Sequence, residues 1–176
     1  MLANLRRAVA LSLVMIVVCL VYTFAETGIG QVFFRHQADG SLTAYGSTEI
    51  GQAWTGPKWF QGRDDTPNPL LSGPTNYGPR SIQLYQQVQK QVALLHKEGI
   101  TATNGLVTGS GSGLDPDIAP ADAYAQVNAV AKANGLPVAE VHQLVASQVA
   151  GYYLGIFGAP YVNVLLLNEA LAKLKS

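Results

Sequence analysis

AVALSLVMIVVCLVYTFA, residues 8–25, carries no charged side chain in 18 consecutive positions. As a helix rising about 1.5 Å per residue it spans roughly 27 Å, close to the hydrocarbon thickness of a bilayer. That length predicts one membrane-spanning helix. A cleaved leader has an apolar core of about 7–15 residues, shorter than this run, so an anchor is favoured over release of the chain after Ala25. Arg6 and Arg7 precede the run and Glu26 follows it. The positive-inside bias then predicts residues 1–7 in the cytoplasm, 8–25 in the membrane and 26–176 outside. Ala8 and Ser12 have the small-xxx-small spacing that suits packing against another helix, and Ser12, Cys19 and Thr23 add polarity, a pattern common by chance.

The 176 residues carry 11 Lys plus Arg against 11 Asp plus Glu, a net charge of zero that argues against a chain built to coat nucleic acid. Hydrophobic residues reach 48%, which excludes a mainly disordered chain. Beyond residue 25 there are 9 basic and 11 acidic residues, giving 9 − 11 = −2. The charged share there, 20 of 151, is low and suits a surface partly covered by a partner or a small, well-packed domain rich in uncharged polar residues. The only cysteine, Cys19, lies in the apolar run, so packing without disulfides must hold the outer domain together.

Six Gly and five Pro in residues 46–79 predict a long irregular segment, and Trp54, Trp59, Phe60 and Tyr77 within it are expected to pin it to the core. A helix is expected from Pro79 to Gly99, with Ile82, Tyr85, Val88, Val92 and Leu95 on one face. Gly105 to Thr108 reads as a strand entering the glycine-rich turn GSGSGLDP. A helix from near Pro120 to Ala133 should end at Asn134-Gly135. A second should open with Pro137 at its first position and run toward Val149, with Val138, Val141, Leu144 and Val145 on one face. Tyr161 to Leu167 reads as a strand, with a helical turn or two over Asn168 to Leu174. These elements make an α+β chain: a single N-terminal transmembrane helix followed by one compact extracytoplasmic domain.

VTGSGSGLDP, residues 107–116, offers many backbone N–H groups that could cradle an anion. It lacks the lysine of a phosphate-binding loop, and Leu114 breaks the dinucleotide spacing after Gly109 and Gly111. Neither Ser110 nor Ser112 has the glycines two residues to either side that a nucleophile elbow needs, so a tight turn is the plainer reading. His36, His96 and His142 show no ligand spacing, and Asp115, Asp117 and Asp122 lack the glycine-spaced pattern of a calcium loop. Asp122 can instead favour a helix N-terminus and Asp115 can cap the turn, and no nucleophile and base are visible together.

Taken in order, several blocks resemble the C chain of the bacterial Kdp potassium-transporting ATPase, the KdpC family. They are IGQ (50–52), WFQGR (59–63), SGPTNYGP (72–79), LVTGSGSGLDP (106–116), IAP (118–120), Gly135-Leu136, VHQLV (141–145) and VNVLLLN (162–168). The resemblance covers nearly the whole chain. It implies a non-catalytic accessory subunit in the bacterial inner membrane, assembling a channel-like potassium-binding subunit with a P-type ATPase subunit and a small additional membrane subunit. It binds no cofactor of its own on this reading, because ATP and potassium are handled by the complex. The family is described as a catalytic chaperone raising the ATPase subunit's affinity for ATP, with direct ATP contacts proposed; Ser110, Ser112 and Asp115 are the candidates here. Ser110, Ser112, Asp115, Asp117 and Asn76 are the candidate partner contacts. The chain departs from the family where L-D-P-H becomes Leu114-Asp115-Pro116-Asp117, and where S-G-G-S-N becomes Ser72-Gly73-Pro74-Thr75-Asn76. Pro74 removes a backbone N–H and weakens any nucleotide role there. The rival class is a stand-alone tethered hydrolase or ligand-binding domain, whose sign would be a nucleophile, base and orienting acid in one pocket.

Overall fold

The structure is a computed structural model that describes every residue except Thr66, Pro67, Pro69 and Ser176. It divides into two units, Met1–Leu42 and Thr43–Ser176.

The first unit is the apolar helix α1 (Leu2–Phe33), followed by the short helix α2 (Arg35–Ala38). α1 has 32 residues, none of them buried. It is therefore longer than the expected span of 8–25 and contains it, because Arg6, Arg7 and Glu26 limit what hydrocarbon can hold but do not stop a helix. The hydroxyls of Thr23 and Thr27 donate to the carbonyls of Cys19 and Thr23, both at 2.8 Å, so these polar side chains need no other partner in an apolar medium. α1 is the one helix among the described residues long and apolar enough to cross a membrane.

The second unit places helices over a two-stranded antiparallel sheet. The helices are α3 (Ile82–Lys97), α4 (Asn104–Val107), α5 (Pro120–Asn134), α6 (Val138–Gln148) and α7 (Val164–Leu174). Strand β1 (Asp117–Ile118) pairs Asp117 with Asn163 and Ile118 with Val162 of β2 (Val162–Asn163). The main core joins Val127 and Val130 of α5, Val141 and Val145 of α6, and Leu167 and Leu171 of α7 to Ile118, Val162 and Phe60. A second cluster packs Leu95 of α3 and Ile100 against Leu106, Val107 and Ala129.

Local chemistry explains most boundaries. Ser81 caps α3 by accepting from the Leu84 N–H, so the helix begins at Ile82 rather than Pro79. Its buried stripe is shorter than expected: Val88, Val92 and Leu95 face the core, whereas Ile82 and Tyr85 are 69% and 66% exposed. Gly135, at φ +67°, ends α5, and the Leu136 N–H closes the turn on the Ala131 carbonyl at 3.0 Å. Pro137 serves as the cap of α6 rather than its expected first residue, so the helix begins one residue later, at Val138.

Two expected strands are helical. Gly105–Thr108 forms the end of α4, because Thr103 accepts from the Leu106 N–H at 3.3 Å and the Thr108 hydroxyl donates to the Asn104 carbonyl at 2.6 Å. Tyr161–Leu167 is strand only at Val162–Asn163. Asn163 then accepts from the Leu166 N–H at 3.2 Å and starts α7, whose buried Val164, Leu167, Asn168 and Leu171 follow helical spacing.

The irregular segment 46–79 includes Thr66, Pro67 and Pro69, which lie outside the described residues. Phe60 is fully buried and the Trp54 and Trp59 rings meet at 5.1 Å, as pinning requires. Tyr77 is 44% exposed and pins nothing. The extended backbone at Phe60 and Gln61 lacks a strand partner, and two buried amides supply one. Asn168 accepts from the Phe60 N–H and donates to the Phe60 carbonyl, each at 2.9 Å. Gln126 does the same for Gln61 at 2.8 and 3.0 Å. Both side chains are 0% exposed, so these bonds satisfy groups that water cannot reach.

Candidate functional site

The Gly-Ser turn is held by a carboxylate from a distant part of the chain. Asp65 accepts from the Ser110 N–H at 2.7 Å, from the Ser110 hydroxyl at 2.7 Å and from the Asp115 N–H at 3.3 Å. The turn also closes on itself, with the Ser110 hydroxyl accepting from the Gly113 N–H at 2.9 Å and the Ser112 hydroxyl from the Leu114 N–H at 3.1 Å. The anion-cradling donors are thus turned toward Asp65, and an external anion would have to displace it.

Other blocks lace onto the same turn. Arg63 donates through Nη2 to the Gly109 carbonyl at 3.0 Å, and its Nε lies 3.9 Å from Asp115 Oδ2. The Gly73 N–H and the Ser72 hydroxyl donate to the Ser112 carbonyl at 2.7 and 2.9 Å. The Gly51 N–H donates to the Leu114 carbonyl at 2.6 Å. Gly113 is required twice over: its φ is +68°, and a Cβ there would meet the Gly73 carbonyl oxygen at 2.6 Å. Four of the sequence blocks, at 50–52, 59–63, 72–79 and 106–116, therefore meet at one place.

Beside this junction is a cavity of about 330 Å³, lined by Trp54, Gln61, Arg63, Asp65, Glu98 and Asp115 among others. Gln61 donates to Glu98, and Gln87 of α3 donates to Asp64 at 2.8 Å. The buried Trp54 Nε1 and Arg63 Nε have no hydrogen-bond partner among the described residues. One guanidinium thus faces the carboxylates of Asp64, Asp65, Glu98 and Asp115 in the cavity wall. No histidine lines it; His142 stacks on Tyr124 with ring centroids 4.6 Å apart. The Ser110 hydroxyl donates to the Asp65 carboxylate at 2.7 Å, with Ser110 itself outside the cavity lining. Among the described residues no group of three or more His, Cys, Asp or Glu is arranged to hold a metal ion.

The three aspartates that the sequence groups together occupy three different environments. Asp115 lines the cavity just described and accepts from the Asp117 N–H at 3.1 Å, the turn-capping role expected of it. Asp117 lies in a second cavity of about 250 Å³ with Thr48, Glu49, Gln148, Tyr161 and Asn163. Burial pushes its carboxyl above the usual carboxylate range; the hydrogen bond from Asn163 at 3.0 Å opposes this, and Asp115 and Glu49 add to it. Asp122, in the first turn of α5, is buried against Gly105. Asn76 is exposed at φ +57° and lines neither cavity. Sequence reading did not single out Asp65, Gln126, Asn163 or Asn168. The one available signal was that Asp64-Asp65 is the sole adjacent acidic pair in segment 46–79.

The family described as KdpC, K+-transporting ATPase, c chain, matches residues 5–173. Similar proteins include the potassium-transporting ATPase KdpC subunit of Caldanaerobacter subterraneus, 41% identical over 96% of this chain and 94% of that protein. The protein of the same name from Sorangium cellulosum is 43% identical, over 97% of this chain and 98% of its own length. That from Allorhizobium ampelinum is 41% identical, over 97% and 96%. With an apolar N-terminal helix, a junction assembled from four of the sequence blocks that carry the resemblance and matches over nearly its full length, the chain belongs to the KdpC family, the c chain of the K+-transporting ATPase.

Proposed function

We propose that this subunit is non-catalytic and holds together the channel-like potassium-binding subunit and the P-type ATPase subunit of an ATP-driven import complex, with a small additional membrane subunit. Residues 8–25 anchor it in the inner membrane, residues 1–7 lie in the cytoplasm and residues 26–176 outside, as Arg6 and Arg7 before the span favour. The observation that carries the reading is the junction at Ser110–Asp115. Its donors are occupied by Asp65 and its backbone is tied to three other segments, so it offers an ordered surface rather than a reactive centre. Order of this kind lowers the cost of docking a partner. Ser110, Ser112, Asp115, Asp117 and Asn76 are the contact candidates on or beside that surface. Any effect on the ATPase subunit's nucleotide affinity is then a coupling transmitted through the assembly, since ATP is cytoplasmic and the folded unit is outside.

The test is purification of tagged full-length chain from cells expressing the whole operon, with mass spectrometry of the recovered chains and a potassium-stimulated ATPase assay. Recovery of both large subunits, and loss of activity when this chain is omitted, is the expected result. Recovery of this chain alone would overturn the reading. Replacing Asp115 and Asp117 by alanine should weaken uptake at low potassium in a chain that still assembles; unchanged uptake removes both from the contact.

A further inference from the structure

Between α6 and β2 the chain forms a hairpin whose apolar side chains have no protein to cover them. Ala150 and Tyr161 pair at its base and Tyr153 and Phe157 near its tip. From Tyr152 to Phe157 the sequence is YYLGIF, and no Asp, Glu, Lys or Arg occurs between Glu140 and Glu169. Tyr153, Leu154 and Ile156 are 73–74% exposed, and Tyr152 and Phe157 are more than half exposed. Neighbouring residues of an extended chain point to opposite faces. Tyr152 and Tyr153 on one arm are therefore apolar on both faces at once, and Leu154 and Ile156 in the turn and Phe157 on the other arm extend that apolar surface around the tip. A protein partner docking on one side would leave the other side wet, whereas a lipid medium wets every side.

The backbone is equally suited to leaving water. Tyr153 and Phe157 exchange N–H to carbonyl bonds at 2.8 and 2.9 Å, and the Gly155 and Ile156 N–H groups donate to the carbonyls of Tyr152 and Tyr153 at 3.1 and 3.2 Å. At the base, Ala150 and Tyr161 exchange bonds at 2.9 and 3.0 Å. A segment that closes much of its own backbone hydrogen bonding carries fewer orphaned polar groups into an apolar interface. Leu154 is held at φ +52°, a conformation a non-glycine residue rarely adopts, and it sits at the apex between the two arms. Tyr161 pairs at the base and Tyr152 lies on the base side of the Tyr153–Phe157 pair, while Leu154 and Ile156 lie in the turn at the apex. That gradient matches headgroups above and acyl chains below.

The geometry points to a second membrane contact: the 152–157 hairpin inserts its tip into the outer interface of the bilayer that α1 spans, so that the folded unit is moored at two places. The second unit begins at Thr43, directly after the unit that carries α1, so the chain tethers it to the same bilayer. The contact rests on the membrane placement of α1 and not on the assembly with other subunits. Its test uses full-length chain reconstituted alone in phospholipid vesicles, in a Cys19→Ser background. Nitroxide labels are placed singly through Leu154→Cys, Ile156→Cys, Ala146→Cys on the exposed side of α6, and Leu13→Cys in α1. Collision with oxygen and with a water-soluble nickel chelate is measured for each.

The expected result is an oxygen-to-chelate ratio at 154 and 156 several-fold above that at 146 and approaching that at 13. A high ratio at 13 with a ratio at 154 and 156 equal to that at 146 overturns the hairpin contact and leaves the anchor standing. Low collision with both reagents at 154 and 156 overturns it in favour of a protein contact. A low ratio at 13 overturns the anchor and the hairpin contact together.

Discussion

At the scale of single residues, Asp65 has the largest consequence. Three donors converge on its carboxylate, and its removal would leave the Ser110 and Asp115 N–H groups without that acceptor and the Ser110 hydroxyl with only Ser112 Oγ, 3.3 Å away, to donate to. Asp65→Ala should destabilise the folded unit by about 2–4 kcal/mol, whereas Ser110→Ala should cost about 1–2 kcal/mol, both read from urea unfolding in detergent. Equal and negligible effects would mean that the turn holds its shape unaided. Asp117 acts in the opposite direction. Its carboxyl titrates above its ordinary value of 3.8 in the folded chain, chiefly through burial, so folding disfavours the ionised form. The penalty is absent below pH 3.8, grows as pH rises through the interval up to the raised folded value, and is complete above it. Asp117→Asn keeps an oxygen to accept from Asn163 and removes the penalty. Its unfolding midpoint should exceed that of the unsubstituted chain at neutral pH, with the gap closing toward pH 3.8. A gap independent of pH would show that the carboxylate carries no such cost.

At the scale of elements, caps and distant partners decided where propensity was ambiguous. A four-residue apolar run such as 105–108 is too short to declare its own period. Thr103 and Thr108 tie it into a helical turn, and that turn brings Gly105 against the carboxylate of Asp122 in α5. A Cβ at Gly105 would overlap that carboxylate. Gly105→Ala, which in an exposed helix would stabilise by about 1 kcal/mol, should here destabilise by about 1–3 kcal/mol in thermal or urea unfolding. A stabilised variant would show that Asp122 moves aside freely. The run 161–167 was equally ambiguous; Asn163 resolves it by capping α7 while its amide donates to the Thr48 carbonyl and to Asp117, each at 3.0 Å. The Gly/Pro segment has no strand of its own at Phe60 and Gln61, and its regularity comes from Asn168 and Gln126, 108 and 65 residues away.

At the scale of the whole molecule, every apolar residue of the two buried clusters falls between Phe60 and Leu171, and α1 contributes none. A chain beginning at Thr43 should therefore unfold cooperatively with a midpoint close to that of full-length protein, measured by circular dichroism in the same detergent; a molten profile would show that the first unit is needed for the fold. The sequence by itself determined the long apolar helix at the N-terminus, the helices starting near Ser81 and Pro120, the stop at Gly135 and the membership of the family, because apolar length, caps and ordered motifs are written in neighbouring residues. The convergence of Arg63, Asp65, Gly73 and Gly51 on the Ser110–Asp115 turn, the separation of Asp115, Asp117 and Asp122 into different environments, and the helical state of α4 and of residues 164–167 at the start of α7 were decided only by the tertiary structure. The physical reason is that a buried polar group must find a partner wherever the packed chain supplies one, and here the partners lie tens of residues apart.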